Sequence, residues 1–107
     1  MHVIEYPSPA AKRGFVGIPN AAIRVEQADD GRWMWGWSFT TSGGGEGFHP
    51  FPKWGRFAET EREAIEAGAA EFIDRLSKRT WADSPQAAAL KGWAESIVAP
   101  VQGGLFA

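Results

Sequence analysis

The chain has 107 residues, 44% of them apolar, and its 13 acidic and 11 basic residues leave a formal net charge of −2. This length suits one domain with a single core, and the absence of cysteine excludes a disulfide framework, a thiolate zinc site and a thiol nucleophile. No uncharged run reaches the roughly 20 apolar residues of a membrane-spanning helix. The first residues lack the basic and apolar start of a secretory signal, so we expect a cytoplasmic protein.

Prolines and glycines interrupt residues 1–20 too often for a helix. The sequence therefore predicts an irregular N-terminal arm. Within it, the apolar pairs Val3-Ile4 and Phe15-Val16 are each compatible with a short edge strand.

Alternating apolar and polar residues over 21–41 predict a β-hairpin. A two-residue loop would divide the apolar side chains between the two faces of the sheet. A three-residue loop, Asp29 to Gly31 with Gly31 left-handed, sets Val25 opposite Trp35 and avoids that division. This register gathers one apolar face, which carries Ile23, Val25, Trp35, Trp37 and Phe39.

The next segment is rich in glycine and aromatic residues. Residues 42–47 are predicted to form a flexible hairpin loop, since they lack the lysine and the following helix of a phosphate-binding loop. Two prolines exclude a central strand over residues 48–54. Gly55 to Glu59 is expected to form a third strand, with Phe57 pointing into the core.

A first helix is predicted from Glu61 to Arg79. Thr60 and Glu63 have the spacing of a capping box, in which each satisfies a free amide of the first turn. Glu71 and Arg75 are interpreted as an i,i+4 ion pair on the outer face. The apolar face carries Ile65, Ala69, Phe72, Ile73 and Leu76.

A second helix is predicted to begin at Pro85 with Ser84 as its N-cap, and to end before Pro100. The order of elements predicts an α+β fold, in which an antiparallel sheet of three to four strands packs on one main helix and a second helix is C-terminal. The single domain is expected to span residues 21–99, followed by a flexible tail over residues 100–107.

Catalytic and metal-binding motifs are not found. His2 and His49 lie far apart, and no other residues have the spacing of metal ligands. The acidic residues near Thr60 suit the N-terminus of a helix, where negative charge is favourable. We therefore predict a protein that is not an enzyme and that uses no metal or cofactor.

The tail contains the motif Gln102-Gly103-Gly104-Leu105-Phe106. It resembles the pentapeptide with which bacterial replication and repair proteins bind the sliding clamp. The resemblance implies a polar contact from Gln102 and insertion of Leu105 and Phe106 into an apolar groove of the clamp. Gly103 departs from the motif, which usually has leucine there. The alternative is that Leu105 and Phe106 pack back onto the domain.

The whole chain is similar in size and aromatic content to small accessory proteins of bacterial mobile elements, including phage-type inhibitors such as anti-CRISPR proteins. This similarity implies a non-catalytic protein-binding module that occludes a larger protein or nucleoprotein complex. Aromatic side chains often anchor such interfaces. We predict Trp33 and Trp54 as partner contacts, while Trp81 is either a contact or a plug between the helices.

A nucleic-acid-binding module is the alternative. Residues 48–57 combine four rings with two cations and no acid, a composition that can stack bases and hold phosphates. The side chains that would make these contacts are Arg32, Lys53, Trp54 and Arg56. Residues 1–58 hold only six basic residues against five acidic ones, a weak footprint for phosphate binding. The same rings would otherwise close the edge of the core.

Overall fold

The computed structural model describes residues 1–7 and 20–98, which form one antiparallel sheet and two helices. The elements are β1 His2–Glu5, β2 Asn20–Gln27, β3 Trp33–Thr41, β4 Gly44–Phe48, a 3-10 turn Pro52–Trp54, β5 Phe57–Ala58, α1 Glu61–Ser77 and α2 Pro85–Val98. The strands lie in the order β1-β2-β3-β4, and β5 also pairs with β3. This arrangement confirms the predicted α+β fold.

The first seven residues include a strand where the sequence allowed one, since Val3 and Ile4 lie in β1 and pair with β2. The second possible edge strand, Phe15-Val16, lies outside the described residues, as does the predicted tail. Within the described residues, no helix has both the length and the apolar character needed to cross a membrane.

The β2–β3 hairpin has the predicted register. Val25 lies opposite Trp35, and Gln27 lies opposite Trp33 at the end of the ladder. The loop closes with a backbone hydrogen bond of 2.7 Å from Ala28 N to the Arg32 carbonyl oxygen. Gly31 has a φ of +92°, a conformation that side chains disfavour. The apolar alternation and the glycine therefore fix which face of the hairpin is buried.

Helix α1 covers that apolar face. Its N-cap is Thr60, whose hydroxyl accepts a hydrogen bond of 3.1 Å from the Glu63 amide. This is one of the two reciprocal bonds of the predicted capping box; the Glu63 carboxylate does not accept from the Thr60 amide. The helix ends at Ser77, two residues earlier than predicted. Small residues allow the helix to lie close to the sheet, and a Cβ at Gly68 would be 3.2 Å from Ile23. The main core consists of Ala21, Ile23, Trp37, Phe39, Ala69, Phe72, Leu76, Ala87, Leu90 and Ala94.

Helix α2 begins as predicted. The Ser84 hydroxyl accepts a hydrogen bond of 3.1 Å from the Ala87 amide, and Pro85 is the first helical residue. Leu90 is fully buried against α1, and Trp93 meets Phe72 edge-on at 5.6 Å. The second helix thus completes the core by packing against α1.

The glycine-rich segment is a strand, so the prediction of a flexible loop over residues 42–47 is wrong. β4 pairs with β3 from Gly44 to Phe48. A Cβ at Gly47 would collide with Ser38, which lies directly opposite. Glycine has a low intrinsic preference for strands, but here it permits an unusually close approach of the two backbones.

The orientation predicted for Phe57 is also wrong. β5 has only two residues, and Phe57 pairs with Met34 on the sheet face that the helices leave uncovered. The neighbouring Ala58 instead packs with Trp33 and Trp35 beneath α1. Because side chains alternate along a strand, the position of Ala58 on the helix side places Phe57 on the open side.

Candidate functional site

Residues 49–56 connect β4 to β5 across the edge of β3, and we call this segment the aromatic ridge. It begins over Gly36, where a Cβ would lie 2.9 Å from the His49 carbonyl carbon and 2.9 Å from the Pro50 nitrogen. Pro50 is buried at this crossing. The 3-10 turn then ends at Gly55, which has a φ of +68°. The ridge can therefore follow this path only because Gly36 has no side chain.

Two large apolar side chains of the ridge are exposed to solvent. Phe51 is 55% exposed and Trp54 is 44% exposed. Among the other described residues, only Met1 and Val3 are also large apolar side chains that are exposed to solvent. Exposed apolar side chains that lie together on a surface are typical of interaction sites. The ridge thus concentrates such side chains within four residues.

Trp54 lies beside an open hollow of about 390 Å³, which we call the Trp54 hollow. Its ring meets Phe48 edge-on at 6.1 Å, and the Lys53 ammonium lies 4.8 Å from the ring centroid. Aromatic and charged side chains together line this hollow. They are Trp37, Glu46, Phe48, Trp54, Arg56, Glu71, Asp74 and Arg75.

Glu71 of α1 holds the end of the ridge. The Arg56 Nε–H donates to both Glu71 carboxylate oxygens at 2.8 and 2.9 Å, while the Arg56 guanidinium lies 4.6 Å from the Phe48 ring centroid. The indole N–H groups of Trp37 and Trp35 donate to Glu71 Oε1 at 2.8 and 3.3 Å. One carboxylate thus links the ridge, β3 and α1.

These hydrogen bonds also determine the charge state of Glu71. Partial burial acts to raise its pKa, but the hydrogen bonds from Arg56 and Trp37 and the positive charge of Arg56 outweigh burial and lower the pKa below its usual value. Glu71 is therefore ionised near neutral pH. It does not form the predicted ion pair with Arg75, because its side chain turns towards β3.

The other charges of the Trp54 hollow are also paired. Arg75 and Arg79 donate to the two carboxylate oxygens of Glu46 on β4 at 3.2 and 3.0 Å. Asp74 accepts from Lys78 at 3.0 Å, one helical turn away. The hollow therefore holds its carboxylates and guanidinium groups in internal ion pairs.

A second and larger depression lies beside Phe51, on the open face of the sheet. We call it the Phe51 groove; its volume is about 650 Å³. Arg32 at one end pairs with Asp30 at 2.8 Å and lies 3.9 Å from the Phe57 ring centroid. The hydrogen bond from Arg32 lowers the pKa of Asp30. The groove is lined by Glu26, Gln27, Ala28, Asp29, Asp30, Arg32, Met34, Pro50, Phe51, Pro52 and Phe57.

The two tryptophans predicted as partner contacts lie in different environments. Trp54 is exposed on the ridge, whereas Trp33 is half-buried and packs near Val25 beneath α1. Trp81 is half-buried, edge-on to Phe39 at 5.9 Å and in contact with the β3–β4 turn at Gly43. Of these three, only Trp54 belongs to the exposed side chains.

The four side chains predicted for nucleic-acid binding lie on both sides of the ridge. Arg32 lines the Phe51 groove and Arg56 lines the Trp54 hollow. Both are in ion pairs, whereas Lys53 lies over the ring of Trp54. The structure thus brings Lys53 and Trp54 together but uses Arg32 and Arg56 in internal contacts.

The predicted clamp-binding side chains, Gln102, Leu105 and Phe106, lie outside the described residues. Sequence reasoning did not single out Phe51 as a contact. The signal was present in Pro50 and Pro52, because a ring between two prolines cannot belong to a central strand. Glu71 was also missed, since only its distant partners distinguish it from other helical glutamates.

Within the described residues, no group of three or more histidine, aspartate or glutamate side chains is arranged to hold a metal ion. Comparison with models of protein families, with curated proteins and with solved structures finds no match for this chain. The aromatic ridge and the depressions on either side of it are therefore the candidate site.

Proposed function

We propose that the protein is a non-catalytic binding module that docks on a partner protein through the aromatic ridge. The observation that carries this proposal is the joint exposure of Phe51 and Trp54 on one short segment. Aromatic anchors of this kind dominate the energy of many protein interfaces. Their burial by a partner removes apolar surface from water at two neighbouring points.

The ridge is held in position before any partner binds. Its first residues pass over Gly36, and Arg56 near its end is bonded to Glu71 on α1. An anchor that is already positioned loses less conformational entropy on binding than one on a free loop. This rigidity supports recognition by a preformed surface.

Charge around the ridge favours a protein partner over nucleic acid. The two depressions are lined by six carboxylates and three guanidinium groups. Phosphate contacts supply most of the affinity for nucleic acid. All three guanidinium groups are already in ion pairs with carboxylates of this protein, which weakens that alternative. The carboxylates are Glu26, Asp29, Asp30, Glu46, Glu71 and Asp74, and the guanidinium groups are those of Arg32, Arg56 and Arg75.

The setting that we propose is the bacterial cytoplasm. The similarity to accessory and inhibitor proteins of mobile elements implies occlusion of a larger protein or nucleoprotein complex, and the ridge would be the occluding surface. Binding of the sliding clamp through Gln102, Leu105 and Phe106 stays a separate prediction.

Affinity capture from a bacterial lysate tests the proposal when three chains are compared. These are the wild type, the double variant Phe51→Ser/Trp54→Ser, and the control Val3→Ser, which removes an exposed apolar side chain of β1. We expect one protein to be retained by the wild type and the control but lost from the double variant. The same protein, once identified and purified, must bind the wild type directly.

Two results would contradict the proposal. One is retention of the same proteins by the wild type and the double variant. The other is micromolar binding of single- or double-stranded oligonucleotides with a steep salt dependence, which would favour the nucleic-acid alternative.

A further inference from the structure

The two depressions beside the ridge differ in how their charges are satisfied. In the Trp54 hollow, each of the three carboxylates has a cationic partner. In the Phe51 groove, Asp30 is paired with Arg32. Glu26 and Asp29 are exposed and have no ion pair among the residues that the structure describes. The groove therefore has surplus negative charge on its rim.

The floor of the groove is apolar. Met34 is only 5% exposed, and Phe57 lies opposite it on β5. Phe51 and the flanking prolines of the ridge form one wall. A ligand that fits this groove must therefore offer apolar atoms to the floor and positive charge to the rim.

Arg32 shows how a cation is accommodated here. Its guanidinium lies 3.9 Å from the Phe57 ring centroid while it donates to the Asp30 carboxylate at 2.9 Å. Stacking on a ring combined with a carboxylate contact is a favourable environment for a guanidinium group. Arg32 neutralises Asp30, so the remaining carboxylates are open to a cation from outside.

We infer that the Phe51 groove binds an arginine or lysine side chain of the partner protein, adjacent to an apolar side chain that contacts Phe51. The inference rests on the proposed function and specifies the chemistry of the partner. The methylene stem of the cation lies along Met34 and Phe51, while its charged head reaches Glu26 and Asp29. Long cationic side chains combine these two contacts readily.

Selection of peptides from a random display library on the full chain tests this inference. We expect the retained peptides to be enriched in arginine or lysine next to leucine, phenylalanine or a similar apolar residue. Binding of the synthesised peptides should weaken roughly three- to tenfold in Glu26→Gln/Asp29→Asn. The matched control Asp83→Asn/Glu95→Gln makes the same change of charge at exposed sites outside the groove and should leave binding unchanged.

The outcomes separate this inference from the proposed function. The inference alone is overturned if the retained peptides require Phe51 but are not enriched in arginine or lysine. Such peptides would also bind Glu26→Gln/Asp29→Asn as tightly as they bind the wild type. Peptides that bind equally well to Phe51→Ser/Trp54→Ser, or a selection that retains none, overturn both. Enrichment of acidic peptides also overturns the inference, since it reverses the expected charge.

Discussion

Arg56 and Glu71 join the end of the aromatic ridge to the middle of α1 through hydrogen bonds from one Nε–H to both carboxylate oxygens. The same carboxylate accepts from the indoles of Trp37 and Trp35. The side chain of Glu71 is 31% exposed, so these contacts are only partly screened by solvent. This link determines where the ridge presents its rings.

Replacing Glu71 with glutamine should destabilise the fold moderately. The amide oxygen can still accept from an indole, but the charge that pairs with Arg56 is lost. Breaking a fully buried pair costs more, and the partial exposure of Glu71 reduces the expected loss to about 1–2 kcal/mol in the free energy of unfolding. Urea denaturation followed by tryptophan fluorescence measures it.

Glu66→Gln is the matched control on the same helix. Glu66 pairs with Arg62 at 2.9 Å on the exposed surface, where such pairs contribute about 0.5 kcal/mol or less. Equal effects of the two substitutions would contradict the linking role of Glu71.

The interaction of Glu71 with Arg56 should also make the stability of the protein depend on pH in the acidic range. Because the pKa of Glu71 in the folded state is lowered from its usual 4.5, its contribution to stability is present above that value. The contribution is lost as the pH falls through the lower folded pKa. The difference in Tm between the wild type and Glu71→Gln should therefore narrow between about pH 6 and about pH 3. A difference that is constant over this range would contradict the assignment.

A side chain at position 36 should displace the ridge. In Gly36→Ala, the added Cβ would collide with the Phe48 carbonyl oxygen, and backbone atoms cannot move aside as easily as a flexible side chain. We expect a loss of about 1–3 kcal/mol in the free energy of unfolding, measured by urea denaturation.

Gly92→Ala provides the comparison for Gly36→Ala. Gly92 lies in α2, and a Cβ there would meet nothing within 4 Å. Because alanine is the better helix former, this substitution should stabilise the protein by about 0.5–1 kcal/mol. Destabilisation by Gly92→Ala, or no effect of Gly36→Ala, would show that the contacts at these glycines are not those described here.

Deletion of residues 101–107 tests the motif in the tail. If Gln102, Leu105 and Phe106 bind the sliding clamp, the truncated chain should keep the Tm of the wild type and lose capture of the purified clamp. A fall in Tm of several degrees would instead indicate that the tail packs on the domain.

Local patterns in the sequence predicted most of the architecture. The register of Val25 and Trp35 follows from alternation and the loop at Gly31, and the helix starts follow from the caps at Thr60 and Ser84. Each of these signals acts within a few residues along the chain. The central hairpin, its buried face and both helices could therefore be predicted.

The features that depend on distant contacts could not be predicted from the sequence. Gly47 belongs to a strand because of its close approach to Ser38, and nothing in its immediate neighbours indicates that pairing. Glu71 turns towards Trp37 and Arg56 instead of Arg75, since β3 and the ridge together offer three donors on that side. The candidate site depends on such contacts. The sequence singled out Arg32, Lys53, Trp54 and Arg56 as surface contacts, but it indicated neither the exposure of Phe51 nor the role of Glu71.

The central claim is that the rings of the ridge contribute to binding and little to folding. The most direct measurement compares Phe51→Ser and Trp54→Ser with the wild type, both in urea denaturation and in affinity for the purified partner. We predict losses of about 1 kcal/mol each in the free energy of unfolding and affinity weakened by about 30-fold or more. The account would be contradicted if the affinity were unchanged and each substitution lowered the free energy of unfolding by about 3 kcal/mol or more, as is typical of buried rings.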